Sequence, residues 1–449
     1  MFASAQANKV LTPFKHLGNL NMRAIIALLL LLPFAASASG LDTGDTAWIL
    51  TASALVLFMT LPGLSFFYAG LVRSKNVLSV LMQCFAIGCL ASIVWLAFGY
   101  SLAFGEGNAF IGDLSKSFLN GVGKDTLSGS IPEPLFFVFQ MTFAIITPAL
   151  MVGGFAERMK FSSVLLFSIS WLILVYLPVC HWVWGGGWLA EMGLLDFAGG
   201  TVVHITAGVG ALVAALVIKN RRGYGSASMI PHNLTMTVAG AGMLWVGWYG
   251  FNGGSALTAS GDAAMAILVT HISAAAGALT WAGLEWAKYG KPSVLGIVTG
   301  MVAGLGTITP ASGFVGPAAS LVIGISAGVV CFYATNLIKQ KWQIDDSLDV
   351  FPVHGVGGIL GTFLAGIFCS TELGIFSGYG FGGDNTSIGQ QLGVQTIGIL
   401  ATLAYTAVVS FILLKLVAVV TKGIRVDNEQ EVQGLDITSH EERGYNIQN

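Results

Sequence analysis

The chain has 449 residues, of which 55% are hydrophobic and only 9% are charged. Soluble domains carry about 25% charged residues, so this composition excludes a soluble globular protein. The formal net charge of -2 leaves no excess of basic residues for binding nucleic acid. The 59 glycines favour closely packed membrane helices, because small residues let helix backbones approach one another. We therefore predict an all-α polytopic membrane protein.

The cysteines are few and widely spread. All five lie in apolar segments, and the sequence contains neither a Cys-x-x-Cys pair nor a cysteine–histidine spacing typical of zinc ligands. We therefore expect no disulfide framework, no metal site and no cofactor.

The N-terminal segment has the features of a signal peptide. Arg23 precedes the apolar run 24–34, and the small residues Ala35-Ala-Ser-Ala-Ser39 follow it. The run is shorter than the ~20 residues that a membrane span needs. We predict a signal peptide over 1–38, with cleavage near Ala38 and the mature N-terminus outside. Residues 1–21 do not resemble the beginning of a signal peptide, so Met22 is an alternative first residue of the translated protein.

The remaining apolar stretches predict eleven transmembrane helices within a domain that covers 39–420. The eighth stretch is short and glycine-rich. The polar residues 421–449 form a C-terminal tail. The predicted helices are 46–71, 77–104, 132–156, 160–183, 197–219, 232–253, 262–286, 293–309, 316–338, 350–369 and 392–420.

The distribution of lysine and arginine predicts the orientation of these helices. With the mature N-terminus outside, thirteen basic residues fall in internal connections, whereas the external ones carry only Lys116 and Lys124. Basic residues concentrate on the cytoplasmic side of membrane proteins, so this asymmetry supports eleven spans and a cytoplasmic tail. We predict a multi-pass protein of the cell inner membrane.

Two stretches with the same spacing, 150 residues apart, suggest an internal repeat. Asp196 is followed after seven residues by His204, and Asp346 is followed in the same way by His354. The two stretches open the fifth and tenth helices, so the repeating unit has five helices and must re-enter the membrane inverted. We predict a five-plus-five inverted repeat plus one extra helix, with the functional site near the midplane where the halves meet. At 1.5 Å per residue, both imidazoles lie near mid-bilayer and can approach each other.

Both histidines have more than one interpretation. The simplest is a core histidine that bonds a neighbouring carbonyl. Ionisable side chains at membrane depth more often mark a substrate or proton path, and the glycines around His204 and His354 favour a pore. A neutral imidazole offers one donor and one acceptor, so a pair can hold a small polar guest or pass a proton. A metal site is less favoured, because no third ligand of suitable spacing accompanies the pair.

Asp196 also has two interpretations, and they are compatible. An aspartate directly before a helix caps the first turn, where the helix dipole favours its charge. A carboxylate near the external mouth also creates a field that attracts cations. We expect Asp346 to order the cytoplasmic end of the tenth helix in the same way as a cap.

Aromatic residues gather at the external ends of the third, fourth and sixth helices. Most aromatics at this depth form the interfacial belt, and we assign Trp182 and Trp245 to it. Trp184 and Phe251 instead lie beside glycine clusters, where helices pack closely. Together with Phe143 and a hydroxyl, their rings can receive a small cation.

These elements describe a path for a small guest. The sequence has no ring of carbonyls or carboxylates for a hydrated metal ion, and too few polar groups for a sugar or peptide. Ammonium fits the pattern, because it can be attracted as a cation, release a proton and cross an apolar constriction as ammonia.

The chain resembles the Amt/MEP/Rh ammonium transporters, in particular the bacterial Amt branch, from about residue 46 to the C-terminus. The motifs that carry the resemblance are Phe66-Phe-Tyr-Ala-Gly70 followed by Leu-Val-Arg-Ser-Lys-Asn76, His181-Trp-Val-Trp-Gly-Gly-Gly187, Asp196-Phe-Ala-Gly-Gly-Thr-Val-Val-His204, Trp248-Tyr-Gly-Phe-Asn-Gly-Gly-Ser255, Val353-His-Gly-Val-Gly-Gly358 and Gly434-Leu-Asp-Ile-Thr-Ser-His440.

The resemblance implies an eleven-helix protomer in a homotrimer, with one pore in each protomer and a PII-type signal protein as partner at the cytoplasmic face. It also implies a role for each matching residue. Trp184, Phe143 and Ser255 would form the external ammonium site, and Phe143 and Phe251 the gate beneath it. His204 and His354 would be the paired pore histidines. Asp196 would support ammonium binding or deprotonation without touching the ligand.

Three alternatives to a transporter follow from the same residues. An ammonium sensor would use the pore for signalling, but the tail is too short for a fused enzyme domain. A neutral gas channel of the Rh type would not need Trp184 and Ser255 at an external cation site. A membrane hydrolase would need a nucleophile–base–metal set, which the sequence does not offer, so we expect no enzyme.

Overall fold

Helices make up nearly all of the regular structure in residues 40–446, which are the residues that this computed structural model describes. The predicted signal peptide 1–38, with its alternative start Met22, lies outside them. Two short hairpins, Gly107–Asn108 with Ile111–Gly112 (β1, β2) and Leu127–Ser128 with Ile131–Pro132 (β3, β4), lie in the connection between the second and third helices. The helices are α1 Thr43–Leu71, α2 Ser74–Phe104, α3 Glu133–Phe155, α4 Phe161–Glu191, α5 Gly200–Ile218, α6 Leu234–Trp248 continued by Tyr249–Gly253, α7 Gly261–Tyr289, α8 Val294–Ile308, α9 Pro317–Lys341, α10 Phe351–Phe368, α11 Ile388–Val420, α12 Asn428–Gln433 and α13 Leu435–His440.

Each of the eleven predicted segments overlaps one of the helices α1–α11. Within residues 40–446, nine of these are long and apolar enough to cross a membrane. The helix α8 is apolar but has only 15 residues, and α6 is not among the nine. The predicted all-α polytopic membrane architecture is confirmed, whereas a count of eleven crossings stays a prediction that depends on α6 and α8.

The helices α5 and α10 begin in the same unusual way. Each opens with a wide π-helical turn, over Gly200–Ile205 in α5 and Phe351–Gly355 in α10. Such turns bond residue i to i+5, and they are frequent at functional sites. His204 lies in the first turn and His354 in the second. The matched turns agree with the predicted inverted repeat, which stays a prediction.

Two ends of the helix bundle need names. We call the end with the segment 192–199 the Asp196 end, and the opposite end, where residues 421–446 pack, the tail end. At the tail end Asp436 accepts a hydrogen bond from the Ser79 backbone N–H at 2.8 Å, and Asn76 accepts one from the Leu435 N–H at 2.8 Å. The tail therefore packs against the beginning of α2.

A buried ionic network joins four connections at the tail end. Arg221 contacts Glu157 at 2.9 Å and Asp345 at 2.8 Å, and Arg73 also contacts Glu157 at 2.9 Å. The carboxylate side chains of Glu157 and Asp345 are fully buried. Burial favours the neutral acids, but the guanidinium groups outweigh it and hold the pKa of both carboxyls below the ordinary value. Arg221 therefore links the connections after α3, α5 and α9.

We expect Arg221→Met to destabilise the protein by about 3–5 kcal/mol, because it leaves two buried carboxylates without their shared partner. The thermal unfolding midpoint of the detergent-solubilised protein, followed by tryptophan fluorescence, measures this loss. Lys124→Met is the matched control, since its ion pair with Asp125 is solvent-exposed and such pairs contribute little. Equal midpoints for the two variants would contradict the structural role of Arg221.

Candidate functional site

Five aromatic rings from five helices form a continuous series that leads from the Asp196 end toward the middle of the bundle. The ring centroids are 5.6 Å apart for Trp184 and Phe143, and 4.4 Å apart for Phe143 and Phe251. The series continues from Phe251 to His204 at 6.1 Å and from His204 to His354 at 5.2 Å. The structure therefore brings together five of the predicted site residues.

The two histidines form a buried pair. Their rings are nearly parallel, with an interplanar angle of 15°, and their Nδ1 atoms lie 3.2 Å apart. Only 1% of His204 and 4% of His354 is exposed. The Nε2 atom of His204 has no hydrogen-bond partner among the described residues. The pair thus has one internal contact and a free nitrogen available to a guest.

Trp248 packs against His204. Its ring stacks on His204 at 5.5 Å with an interplanar angle of 15°, and its indole N–H donates to the Thr309 hydroxyl at 2.9 Å. The sequence interpretation did not include Trp248 in the site. The signal was its position three residues before Phe251, which places both rings on one face of α6.

A narrow cavity lies beside the histidine pair. It offers about 10 Å³ to the centre of a water-sized molecule, which is room for about one water. A wider cavity of about 290 Å³ lies on the tail side and reaches His354 from there. The two cavities share Phe67, Val302 and His354. The residues that line the narrow cavity are Met59, Leu64, Phe67, Ile146, Leu150, Val203, His204, Leu244, Trp248, Phe251, Val302 and His354.

The Asp196 carboxylate caps α5. It accepts hydrogen bonds from the backbone N–H groups of Gly199 at 2.8 Å, Gly200 at 2.5 Å and Thr201 at 2.8 Å, and from the Thr201 hydroxyl. Gly199 has a φ of 114°, a left-handed conformation that favours glycine and turns the chain back onto the carboxylate. The Trp184 indole donates to the Asp196 carbonyl at 2.9 Å. Asp196 therefore ties Trp184 to the start of the helix that carries His204.

Ser255 lies just after the wide turn at the end of α6. Its hydroxyl donates to the Phe251 carbonyl at 2.8 Å. Trp48 of α1 donates to the Gly253 carbonyl at 3.1 Å, and Asp45 accepts from the Ala259 N–H at 2.7 Å. The segment around Ser255 is thus anchored to α1.

One aromatic assignment was wrong. Trp182 is only 7% exposed, and its indole donates to the Phe110 carbonyl at 2.8 Å. It packs against Trp188 and Tyr405 rather than facing lipid as a belt residue.

A second carboxylate lies at the tail end of the helix that carries His354. Asp346 is buried and accepts the Phe351 N–H at 2.7 Å, so it caps α10 as expected. Burial, together with the neighbouring Asp349, raises the pKa of the Asp346 carboxyl to about 7. This capping group therefore titrates near neutral pH.

Comparison with known proteins identifies the family. Residues 47–445 match the model of the Ammonium Transporter Family. The chain belongs to the ammonium transporter family. It is 47% identical over 408 residues to an ammonium transporter of Bacillus subtilis, covering 90% of this chain and 99% of that protein. It is 44% identical over 406 residues to the ammonium transporter Amt1 of Archaeoglobus fulgidus, covering 90% and 100%.

Solved structures agree with the family assignment. A sensor Amt protein superposes with a TM-score of 0.82 at 29% sequence identity, covering 88% of this chain and 98% of that one. Mep2 of Candida albicans superposes with a TM-score of 0.80 at 36% identity, covering 87% and 88%. The resemblance to the Amt/MEP/Rh family found in the sequence is confirmed.

We expect the titration of Asp346 to make stability depend on pH. Because the folded-state pKa is about 7 and the ordinary value is 3.8, the folded state holds the proton more tightly. This contribution is fully present below about pH 4 and is lost as the pH rises through about 7, in total roughly 4 kcal/mol.

Asp346→Asn mimics the protonated acid, so its unfolding midpoint should fall less than that of the unmodified protein between pH 4.5 and 8. Asp125→Asn, at an exposed position, is the control. Parallel pH profiles for the unmodified protein and Asp346→Asn would show that Asp346 does not titrate in this range.

We also expect Gly208→Ala to disrupt the histidine pair. A Cβ at Gly208 would lie 2.4 Å from the Gly355 Cα, so the backbones of α5 and α10 must separate. Gly242→Ala is the matched control, because a Cβ there meets nothing within 4 Å. The unfolding midpoint should drop for Gly208→Ala and stay unchanged or rise for Gly242→Ala. A Gly208→Ala protein with an unchanged midpoint would mean that the helices have room to adjust.

Proposed function

We propose that this protein transports ammonium across the cell inner membrane, through a pore that follows the ring series from Trp184 to His354. The observation that carries the proposal is the buried histidine pair beside a cavity with room for about one water-sized molecule. Ammonia is of that size, whereas a hydrated metal ion is much larger. The family relatives named as ammonium transporters support the substrate.

In this proposal, ammonium is first held at the Asp196 end by Trp184, Phe143 and Ser255. The edge-to-face arrangement of Trp184 and Phe143, at 87°, leaves ring surface for a cation. Such contacts contribute about 0.5–2 kcal/mol. Phe143 and Phe251 then act as the gate, because their ring centroids lie only 4.4 Å apart and the rings must separate for a guest to pass.

Asp196 supports the positive charge without touching the ligand. Its carboxylate is occupied by N–H groups at the start of α5, so it acts through its field and through the orientation of Trp184. Its negative charge stabilises ammonium at the entrance, and the proton is released before the apolar constriction.

Ammonia then crosses along His204 and His354. An ammonia molecule can donate to or accept from a free imidazole nitrogen, whereas the remaining lining of the narrow cavity is apolar except for the Trp248 indole. The proposal has two versions. In one, the released proton crosses the membrane by transfer along the two imidazoles, and in the other it stays on the external side.

Orientation, assembly and regulation complete the proposal. We place the Asp196 end and the N-terminus outside and the tail end in the cytoplasm, on the basis of the lysine and arginine asymmetry. We further propose a homotrimer that binds a PII-type signal protein at its cytoplasmic face. Size-exclusion chromatography with light scattering tests the trimer, and co-purification with a PII protein tests the partner.

Ammonium sensing is the second candidate function. It is favoured by the likeness to the sensor Amt protein, at a TM-score of 0.82. A sensor could bind ammonium at the same site with little flux, so the flux measurement separates the two.

We expect ammonium jumps on proteoliposomes adsorbed to a solid-supported membrane to evoke a current. Asp196→Ala should reduce the current by about tenfold to hundredfold, the loss expected when one charged partner is removed. His354→Ala should still conduct but discriminate less well between ammonium and potassium, since the guest then passes without a proton acceptor.

Asp196→Asn keeps an oxygen that can cap α5, so it separates loss of charge from loss of folding. Lys124→Met is the control for reconstitution. A pH change in the lumen without any current would indicate a gas channel and contradict proton transfer along the imidazoles. Ammonium binding with neither current nor pH change would indicate a sensor.

A further inference from the structure

We propose that Gln395, a buried residue of α11, positions Asp196 and couples it to the helix that carries His354. The inference rests on the proposed function, because it concerns the carboxylate that we assign to ammonium binding. Gln395 lies seven residues after Ile388, the first residue of α11, and is fully buried.

The Gln395 amide uses all of its hydrogen-bonding groups. Its Nε2 donates to the Leu195 carbonyl at 2.8 Å and to the Thr362 carbonyl at 2.9 Å. Its Oε1 accepts from the Leu195 N–H at 2.9 Å and from Gln391 Nε2 at 3.1 Å. A primary amide has two N–H donors and two acceptor lone pairs, so none is left over. If the amide were rotated by 180°, its NH₂ group would face N–H donors and its oxygen would face carbonyl oxygens. The observed orientation is therefore fixed.

These bonds act on the residue directly before Asp196. Gln395 pairs with both the N–H and the carbonyl of Leu195, while the Phe197 N–H donates to the Pro310 carbonyl at 3.0 Å. The main chain is therefore held on both sides of Asp196. The segment from Gly193 to Gly199 has no regular helix or strand, so its own backbone does not fix this geometry. Gln395 fixes the main chain before Asp196 from the neighbouring helix α11.

The bond from Gln395 to the Thr362 carbonyl connects the two halves of the site. Thr362 belongs to α10 and lies eight residues after His354, so one side chain joins the Asp196 segment to the helix of the second histidine. The neighbouring Gln391 is one turn away on the same face of α11. It donates to the Gly193 carbonyl at 2.9 Å and accepts from the Gly382 N–H at 2.8 Å. Gln391 therefore holds connecting loops, whereas Gln395 holds the site.

The pair offers a matched experiment. Gln395→Met and Gln391→Met each replace an amide with an apolar side chain of similar length. Amide hydrogen exchange of the detergent-solubilised full chain, read by mass spectrometry, should be at least about tenfold faster over residues 195–202 in Gln395→Met. Gln391→Met should change exchange near residues 193 and 382 and leave 198–202 as in the unmodified protein.

Transport kinetics then separate positioning from mere scaffolding. In the proteoliposome assay, Gln395→Met should raise the half-saturating ammonium concentration about tenfold and change the maximum current less than about twofold. Gln391→Met should change neither quantity by more than about twofold. The conservative variant Q395E, when its carboxyl is protonated, can still accept from the Leu195 N–H, and its single O–H can donate to one of the two carbonyls that Gln395 contacts. Its half-saturating concentration should therefore approach the unmodified value as the pH falls, a dependence that Gln395→Met lacks.

Each outcome decides a different point. Unchanged exchange over 195–202 in Gln395→Met overturns the proposal. Faster exchange with an unchanged half-saturating concentration also overturns it, because Gln395 would then be only a structural residue. An unmodified protein that shows no ammonium-driven current overturns the proposed function instead, and the exchange comparison still decides whether Gln395 holds the Asp196 segment.

Discussion

The contact between Gly208 of α5 and Gly355 of α10 is the constraint on which the rest of the site depends. Any side chain at Gly208 would lie 2.4 Å from the facing backbone, so only glycine allows the two helices to meet. Gly358 extends this contact, because a Cβ there would lie 3.0 Å from the His204 Cβ. In a membrane the hydrophobic effect does not drive helices together, because lipid tails are as apolar as the helix surfaces. Close backbone packing is therefore what brings the Nδ1 atoms of the two imidazoles to 3.2 Å.

The architecture was largely predictable because apolar length and glycine content are properties of the sequence itself. Each predicted segment overlaps a helix, and the boundaries differ by at most eight residues, at the end of α4. The helices α6 and α8 are the exceptions, since α6 is not among the nine helices of residues 40–446 that are long and apolar enough to span a membrane, and α8 has only 15 residues. The wide turns around His204 and His354 were not predictable, because they arise from packing between elements far apart in the chain. The network of Arg221 with Glu157 and Asp345 is of the same kind: the basic residues indicated a side of the membrane, but not their partners.

Within the site, periodic spacing predicted which residues approach and could not predict what holds them. The shared spacing of Asp196 to His204 and of Asp346 to His354 implied a common depth, and the rings do lie 5.2 Å apart. The interpretation of Trp182 failed, because a tryptophan near a helix end gives no sign of whether it faces lipid or protein. Gln395 was missed because its partner Leu195 is 200 residues away. Gln391 and Gln395, one turn apart in a mostly apolar helix, were the available signal, since buried amides in membranes need partners.

The contact between the two Nδ1 atoms gives the histidine pair a direction. Two neutral imidazoles joined in this way hold one hydrogen between them, so one ring presents its outer Nε2 as an acceptor and the other as a donor. Passing a proton through the pair exchanges these roles and leaves it pointing the opposite way. Before a second proton can follow the first, both rings must return to their starting tautomers. In the proposed pore, a neutral molecule that passes the pair requires no such reset, so the same two residues would limit the rate for charge and not the rate for ammonia.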